Sequence, residues 1–240
     1  MVWDTSVLAA LAATARVAAR AVRYAVVGLL VAGAGTGSAQ SEWRSVFSET
    51  FGDDAHPLYV MAGVIAFGQQ PDTPFVASLG EGGLVLENAV DPSVLRFYFV
   101  EPRHSGPWQD AAGAPVAAAV TVGGQFGEAP GAGLIYRVEP ATFRFYSFVL
   151  TGGQGYGIFV LDEQGYRPLV TGESPHVAAA GTNRIIVLPD RTDLHMVVNG
   201  ELVASLDTAG RQGGPAGTGI GLLVGGTGRW VFDDFEVYVQ

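Results

Sequence analysis

Leu194-His-Met-Val-Val-Asn-Gly200-Glu-Leu-Val-Ala-Ser-Leu206 contains two apolar-rich runs separated by the dipeptide Asn199-Gly200. A two-residue type I′ turn needs positive φ at both central positions, which Gly adopts freely and Asn tolerates, so this stretch predicts a tight antiparallel hairpin. The pattern continues on both sides of it. From Ser41 to Gln240 short apolar or alternating runs are broken by Gly, Pro, Asn and Asp, and no 3.6-residue stripe extends for three helical turns. Candidate strands are Val46–Phe51, Leu58–Phe67, Leu84–Glu87, Val94–Val100, Val116–Val122, Gly133–Val138, Phe145–Thr151, Gly157–Asp162, Tyr166–Thr171, Arg184–Leu188, Leu194–Val198, Glu201–Leu206, Ile220–Val224 and Trp230–Val239. So many strands in one chain of this size call for two packed sheets or a barrel. The Gly-, Pro- and Ala-rich stretches His104–Pro115, Gly123–Ala132 and Ala209–Gly219 read as loops.

Composition agrees with an all-β domain and excludes several chemistries. Of 240 residues 34 are Gly, only 15% are charged, and 48% are hydrophobic, enough to build a core. All 13 basic residues are Arg, against 23 acids, giving a net charge of −10 and a pI near 4.7. Nucleic acid is therefore not an expected partner, because phosphate binding needs a basic footprint. With no cysteine, disulfides, thiol nucleophiles, Cys-ligated zinc and iron–sulfur clusters are excluded.

The first 40 residues are different. Arg16, Arg20 and Arg23 precede the apolar run Tyr24–Gly37, and the small residues Gly37-Ser-Ala39 follow, the order of an export signal and its cleavage site. The same segment also reads as an uncleaved anchor. Residues 17–39 as one hydrophobic N-terminal helix would span roughly 34 Å, enough for a hydrocarbon core of about 30 Å. In both readings the arginines stay cytoplasmic and residues 41–240 lie outside the inner membrane, periplasmic or extracellular. The expected organisation is a signal peptide or anchor over 1–40 and a single acidic β-sandwich over 41–240.

Four pieces, Gly131-Ala-Gly-Leu-Ile-Tyr-Arg137, Phe145-Tyr-Ser-Phe-Val-Leu150, Leu194-His-Met-Val-Val-Asn-Gly200 and Phe232-Asp-Asp-Phe-Glu-Val-Tyr238, occur in this order. Together they resemble the second half of concanavalin A-like jelly rolls, and within these the bacterial exported domains grouped with laminin G-like modules and the 3-keto-disaccharide hydrolase set. Phe47-Ser-Glu-Thr-Phe51 and Gly82-Gly-Leu-Val-Leu86 resemble the first strands of that group less sharply. The resemblance implies two curved antiparallel sheets with a concave face that often receives sugar or peptide, and residues near 45–51 that pair with or lie adjacent to 229–239. It also implies a structural Ca²⁺ held by oxygens of the first and last strands, for which Glu49, Asp53 and Asp234 are the carboxylates at hand.

Chemistry-bearing motifs are few. Jelly-roll glucanases carry paired carboxylates on one strand, as Glu-x-Asp-x-x-Glu or a close variant, and no such run occurs here. Asp233-Asp-Phe-Glu236 is nearest but falls in the closing strand, and Asp162-Glu163 reads as a turn. His56, His104, His176 and His195 have no metal-binding spacing, and Ser174 lacks the strand–turn–helix setting of a nucleophile. Gly152-Gly-Gln-Gly-Tyr-Gly157 joins two strands and reads as a hairpin loop. In Arg103-His-Ser-Gly-Pro-Trp-Gln-Asp110, Trp108 either stacks on a sugar or anchors a protein partner, or folds back onto its own sandwich. Arg137 and Tyr146 are expected on adjacent strands, either facing a ligand or forming a cross-strand pair. The expected function is a non-catalytic binding or structural module. It would be a secreted glycan or protein binder or an anchored accessory subunit of a membrane complex, touching the membrane only through residues 17–39. A saccharide-active hydrolase or lyase is the alternative.

Overall fold

Alternating apolar residues need a surface to bury against, and here two antiparallel sheets provide it for each other. The structure, a computed structural model, describes residues 43–52, 68–69, 75–89, 93, 95–99, 115–126, 131–139, 141–211 and 213–240. Trp108, Asp53, the expected strand over 58–67 and the N-terminal segment 1–40 lie outside the described residues. Among the described residues no helix is long and apolar enough to cross a membrane.

One sheet contains β1 (Arg44–Glu49), β2 (Gly68–Gln69), β3 (Phe75–Gly80), β4 (Gly83–Asn88), β6 (Val116–Phe126), β11 (Thr182–Asp190), β12 (Asp193–Val198), β13 (Glu201–Asp207) and β15 (Gly228–Val239). Its order is β13-β12-β11-β6-β15-β4-β3-β2, with β1 also paired to β15. The second contains β5 (Leu95–Phe99), β7 (Gly131–Glu139), β8 (Arg144–Leu150), β9 (Gly155–Asp162), β10 (Gly165–Glu173) and β14 (Gly219–Gly225), in the order β10-β9-β8-β7-β14-β5. The first strand thus pairs with the last, as the resemblance implied. The predicted hairpin is present too: Val198 pairs with Glu201, and Asn199 and Gly200 have φ of 53° and 95°, both positive as a type I′ turn requires.

The main core lies between the sheets. Val120 and Val122 of β6, Ile185 and Val187 of β11, and Trp230 and Phe232 of β15 meet Leu134 of β7, Phe148 of β8, Ile158 of β9 and Leu222 of β14. Period-2 alternation explains most of this, and a bulge explains the rest. In β15 the inward residues are even-numbered up to Phe232 and odd-numbered from Phe235 through Val237 to Val239. The switch occurs at a register break between Asp233 and Glu236, where Asp234 has φ 48°. On the opposite face of the second sheet, Ile135, Phe145, Val149, Phe159 and Leu223 form another buried apolar cluster. That sheet is apolar on both faces, which is why β7, β8 and β14 read as near-continuous hydrophobic runs.

Two expectations are corrected. Gly123–Ala132 is not all loop, because β6 continues to Phe126, where it pairs with Gly228, and β7 begins at Gly131, opposite Gly225. Glycine was misread as a breaker where it allows close approach. Gly124 has φ 117°, and a Cβ there would stand 2.1 Å from the Arg229 carbonyl oxygen. The strand β3 was also missed; it turns into β4 through Glu81-Gly82, both at positive φ.

A candidate anion cleft at one end of the sandwich

β6 and β14 begin, and β7 and β11 end, at the same end of the sandwich, where they enclose a cleft of about 420 Å³. Val116 and Ile220 form its apolar base, Tyr136 and Arg137 come from β7, and Pro189 and Arg191 come from the end of β11 and its turn. Ala216–Thr218 complete the wall. The Tyr136 hydroxyl crosses between the sheets and donates to the carbonyl of Val116. Burial pushes this hydroxyl up to about 12, against the pull of the neighbouring Arg137 charge, so it stays a neutral donor through the physiological range.

The two arginines are held in an unusual way. Arg191 opens the two-residue turn between Asp190 and Asp193, whose first position demands positive φ, and it has φ 53°. Arg137 sits at the register break between Tyr136 and Glu139 with φ 55°. Left-handed backbone costs a residue with a Cβ about 1–2 kcal/mol. Glycine or asparagine is the ordinary occupant, yet both positions carry a long cation aimed at one cleft.

The loop wall is fixed by Glu139. Its Oε1 accepts from the Ala216 amide at 2.7 Å and its Oε2 from the Thr142 hydroxyl at 2.8 Å, with Arg144 Nη1 at 3.6 Å. The Ala216 amide, then the Thr142 hydroxyl, hold the carboxyl below its ordinary value. Gly217 is pressed against β7, where a Cβ would lie 2.0 Å from the Val138 carbonyl oxygen.

Arg137 lines this cleft and donates to Thr208 Oγ1 at 3.3 Å. Tyr146 pairs with Tyr136 in the β7–β8 register, but its ring lies in the core at 1% exposure. Its hydroxyl reaches a smaller cavity of about 60 Å³, shared with Arg211, Gly214, Asp162 and Arg167. Burial raises the Tyr146 pKa, and Arg137 and Arg211 oppose the rise. Asp162, the carboxylate of that cavity, is engaged by Arg167 at 2.6 Å and ends the β9 turn by accepting from the Gln164 amide. Arg191 was not singled out by sequence. The short gap of five residues between the runs ending at Leu188 and starting at Leu194 was its signal, obscured because the turn within it lacks Asn-Gly.

The expected calcium carboxylates divide. Glu49 and Asp234 are on the paired strands β1 and β15, each buried, while Asp53 lies outside the described residues. Glu49 accepts from the Phe51 amide, and Asp234 contributes its backbone carbonyl to Arg184. Among the described residues no three His, Asp or Glu gather as metal ligands. Glu236 forms an ion pair with Arg184 and accepts from the Tyr238 hydroxyl at 2.9 Å, so the Asp233–Glu236 stretch builds a structural network. His195 bonds Ser205 across β12–β13 at 2.8 Å, and the Ser174 hydroxyl accepts from the His176 amide in a local turn.

No family model matches this sequence, and no curated protein matches it. Solved structures do match in shape. The carbohydrate binding module CBM66 from Bacillus subtilis aligns with a TM-score of 0.51 at 13% identity, covering 67% of this chain and 89% of its own. The catalytic domain of an endo-1,3-β-glucanase, a laminarinase, from Thermotoga petrophila RKU-1 aligns at 0.52 and 14%, covering 82% and 98%. A prokaryotic β-1,3-1,4-glucanase, a lichenase, derived from a mouse hindgut metagenome aligns at 0.52 and 12%, covering 81% and 99%. Identities this low speak to architecture alone. With its two antiparallel sheets and its first strand closing on its last, this chain has the concanavalin A-like jelly-roll fold.

Proposed function

We propose that this protein is an exported, non-catalytic β-sandwich that binds a glycan through the cleft at the end of the sandwich. The observation that carries this reading is the composition of the cleft wall: two arginines, a tyrosine, prolines and glycine backbone, with no carboxylate among its lining residues. Glycoside hydrolysis requires two carboxylates facing one bond, at roughly 5–5.5 Å for retention or 6.5–9.5 Å for inversion. Among the described residues neither cavity holds such a pair, and Asp162 in the smaller one is engaged by Arg167. The neighbours of this fold include both a binding module and glucanases, and the wall chemistry favours the first.

Export and the choice between secreted and anchored forms belong to the same proposal, resting on Arg16, Arg20 and Arg23 before the apolar run. So does a structural Ca²⁺ on Glu49, Asp53 and Asp234, whose expected mark is a melting temperature that falls on chelation. The test uses protein isolated from its own membrane and soluble exported fractions, with its N-terminus and intact mass read first. It is then applied to an immobilised glycan panel and incubated with laminarin and lichenan. Binding without release of reducing ends supports a non-catalytic module. Release of reducing ends at an enzymatic rate overturns it in favour of a hydrolase, and an intact N-terminus in the membrane fraction assigns the anchored form.

A further inference from the structure

We infer that the ligand of this cleft is an acidic saccharide whose carboxylate is received by Arg137 and Arg191. The inference rests on the glycan-binding reading of the same cleft and adds the charge of the ligand. Three independent observations lead to it. The first is partner choice. After residue 40 the chain has 22 acids for 10 arginines, so an arginine has ample opportunity to find a carboxylate. Arg144, Arg167, Arg184 and Arg229 all do, at Glu139, Asp162, Glu236 and Glu81. Among the described residues Arg44, Arg96, Arg137, Arg191 and Arg211 have no such ion pair; Arg96 lies over the Tyr98 ring and Arg211 donates to the Asp207 carbonyl, whereas Arg137 and Arg191 line one cleft, Arg137 bonding the neutral Thr208 hydroxyl.

The second is backbone conformation. Both arginines occupy left-handed φ, where glycine would be free of strain. Non-glycine residues in this region cluster at ligand clamps, where the surrounding fold holds an unfavourable conformation for the sake of a side chain. The third is the rest of the wall. Pro189 and the Gly217 backbone add wall with few rotamers to order on binding, and Tyr136, whose ring is buried in the core, holds the base of the cleft through its bond to Val116. A guanidinium meets a carboxylate through two parallel N–H bonds, which makes arginine the natural receiver of a uronate.

The test measures the full protein against a short oligogalacturonide and the same oligomer with its carboxylates reduced to alcohols. It also includes a sulfated oligomer of equal length and the variants Arg137→Gly and Arg191→Gly. The expected result is at least tenfold tighter binding of the uronate than of the reduced oligomer. Each variant should lose that preference while its melting temperature stays level or rises, an outcome a merely structural arginine would not give. Equal binding of the acid and reduced forms overturns the inference and leaves the glycan-binding reading standing. Preference for the sulfated oligomer overturns it as well. Unchanged uronate binding by both variants overturns the assignment to this cleft, and binding of no saccharide at all overturns inference and reading together. The comparison of acid with reduced oligomer decides on the unmodified protein even where a variant does not fold.

Discussion

Arg184 and Arg191 belong to the same strand and the turn that ends it, and their surroundings are opposite. Arg184 lies on the outer face of the first sheet, with Glu236 at its guanidinium, the Asp234 carbonyl at its Nη1 and Tyr238 completing the network through Glu236. Arg191, seven residues along, stands in left-handed backbone at the rim of a cleft with no carboxylate on it. One arginine is consumed by the fold. The other is kept by the fold at a conformational cost, which is the physical difference between a residue that stabilises and one that is available to a ligand.

The sharpest way to break this comparison is to remove Glu236. In Glu236→Ala the Arg184 side chain, only 18% exposed, is left without its counter-charge, and unfolding in urea should show a loss of about 2 kcal/mol. Uronate binding by the folded variant should be unchanged; a fall in binding without a fall in stability would invert the roles given to the two arginines.

Tyr136→Phe should cost less, about 1 kcal/mol, because it leaves the Val116 carbonyl without the hydroxyl that crosses to it. A loss well above that in the denaturation midpoint would mean that the crossing bond organises the whole end of the sandwich. Arg191→Gly should move stability by no more than about 1 kcal/mol, with relieved strain offsetting the added freedom of the unfolded chain. Calorimetry that showed it strongly destabilised would place Arg191 with Arg184 instead of opposite it.

The smallest expected effect is on acid pH. The Glu139 carboxyl is held below its ordinary value by the Ala216 amide, so its contribution is full above the unfolded carboxylate range and is lost as pH falls through the lowered folded value. Because the group is half-buried at the surface and its bonds are local, the expected readout is faster hydrogen exchange at the Ala216 amide in that acidic window, with global melting nearly unmoved. Glu139→Gln should show weak Ala216 protection at every pH.

The all-β class and the Asn199-Gly200 hairpin were legible because each depends on local φ preferences or on period-2 patterning, whereas the closure of the first strand on the last was implied only by the resemblance to concanavalin A-like jelly rolls. The even-to-odd switch in β15 was not, since the bulge at Asp234 inserts one residue that no propensity marks. Gly124 misled for a related reason: glycine signals a turn when read alone, and here it is where β6 and β15 backbones come too close for a Cβ. At the site, Arg137 was visible as a polar residue on the strand adjacent to that of Tyr146, while Arg191 sits in a turn whose composition resembles no standard hairpin.

The amino-acid sequence by itself determined that this chain makes strands, that it is acidic, that it lacks thiol chemistry, and that its first 40 residues differ from the rest. These properties add residue by residue. Only the tertiary structure decided that Arg137 and Arg191, over 50 positions apart, share one cleft while Arg184 is locked to Glu236. Which side chains meet depends on the order in which strands are laid beside one another, and that order is set by long-range pairing in two sheets at once.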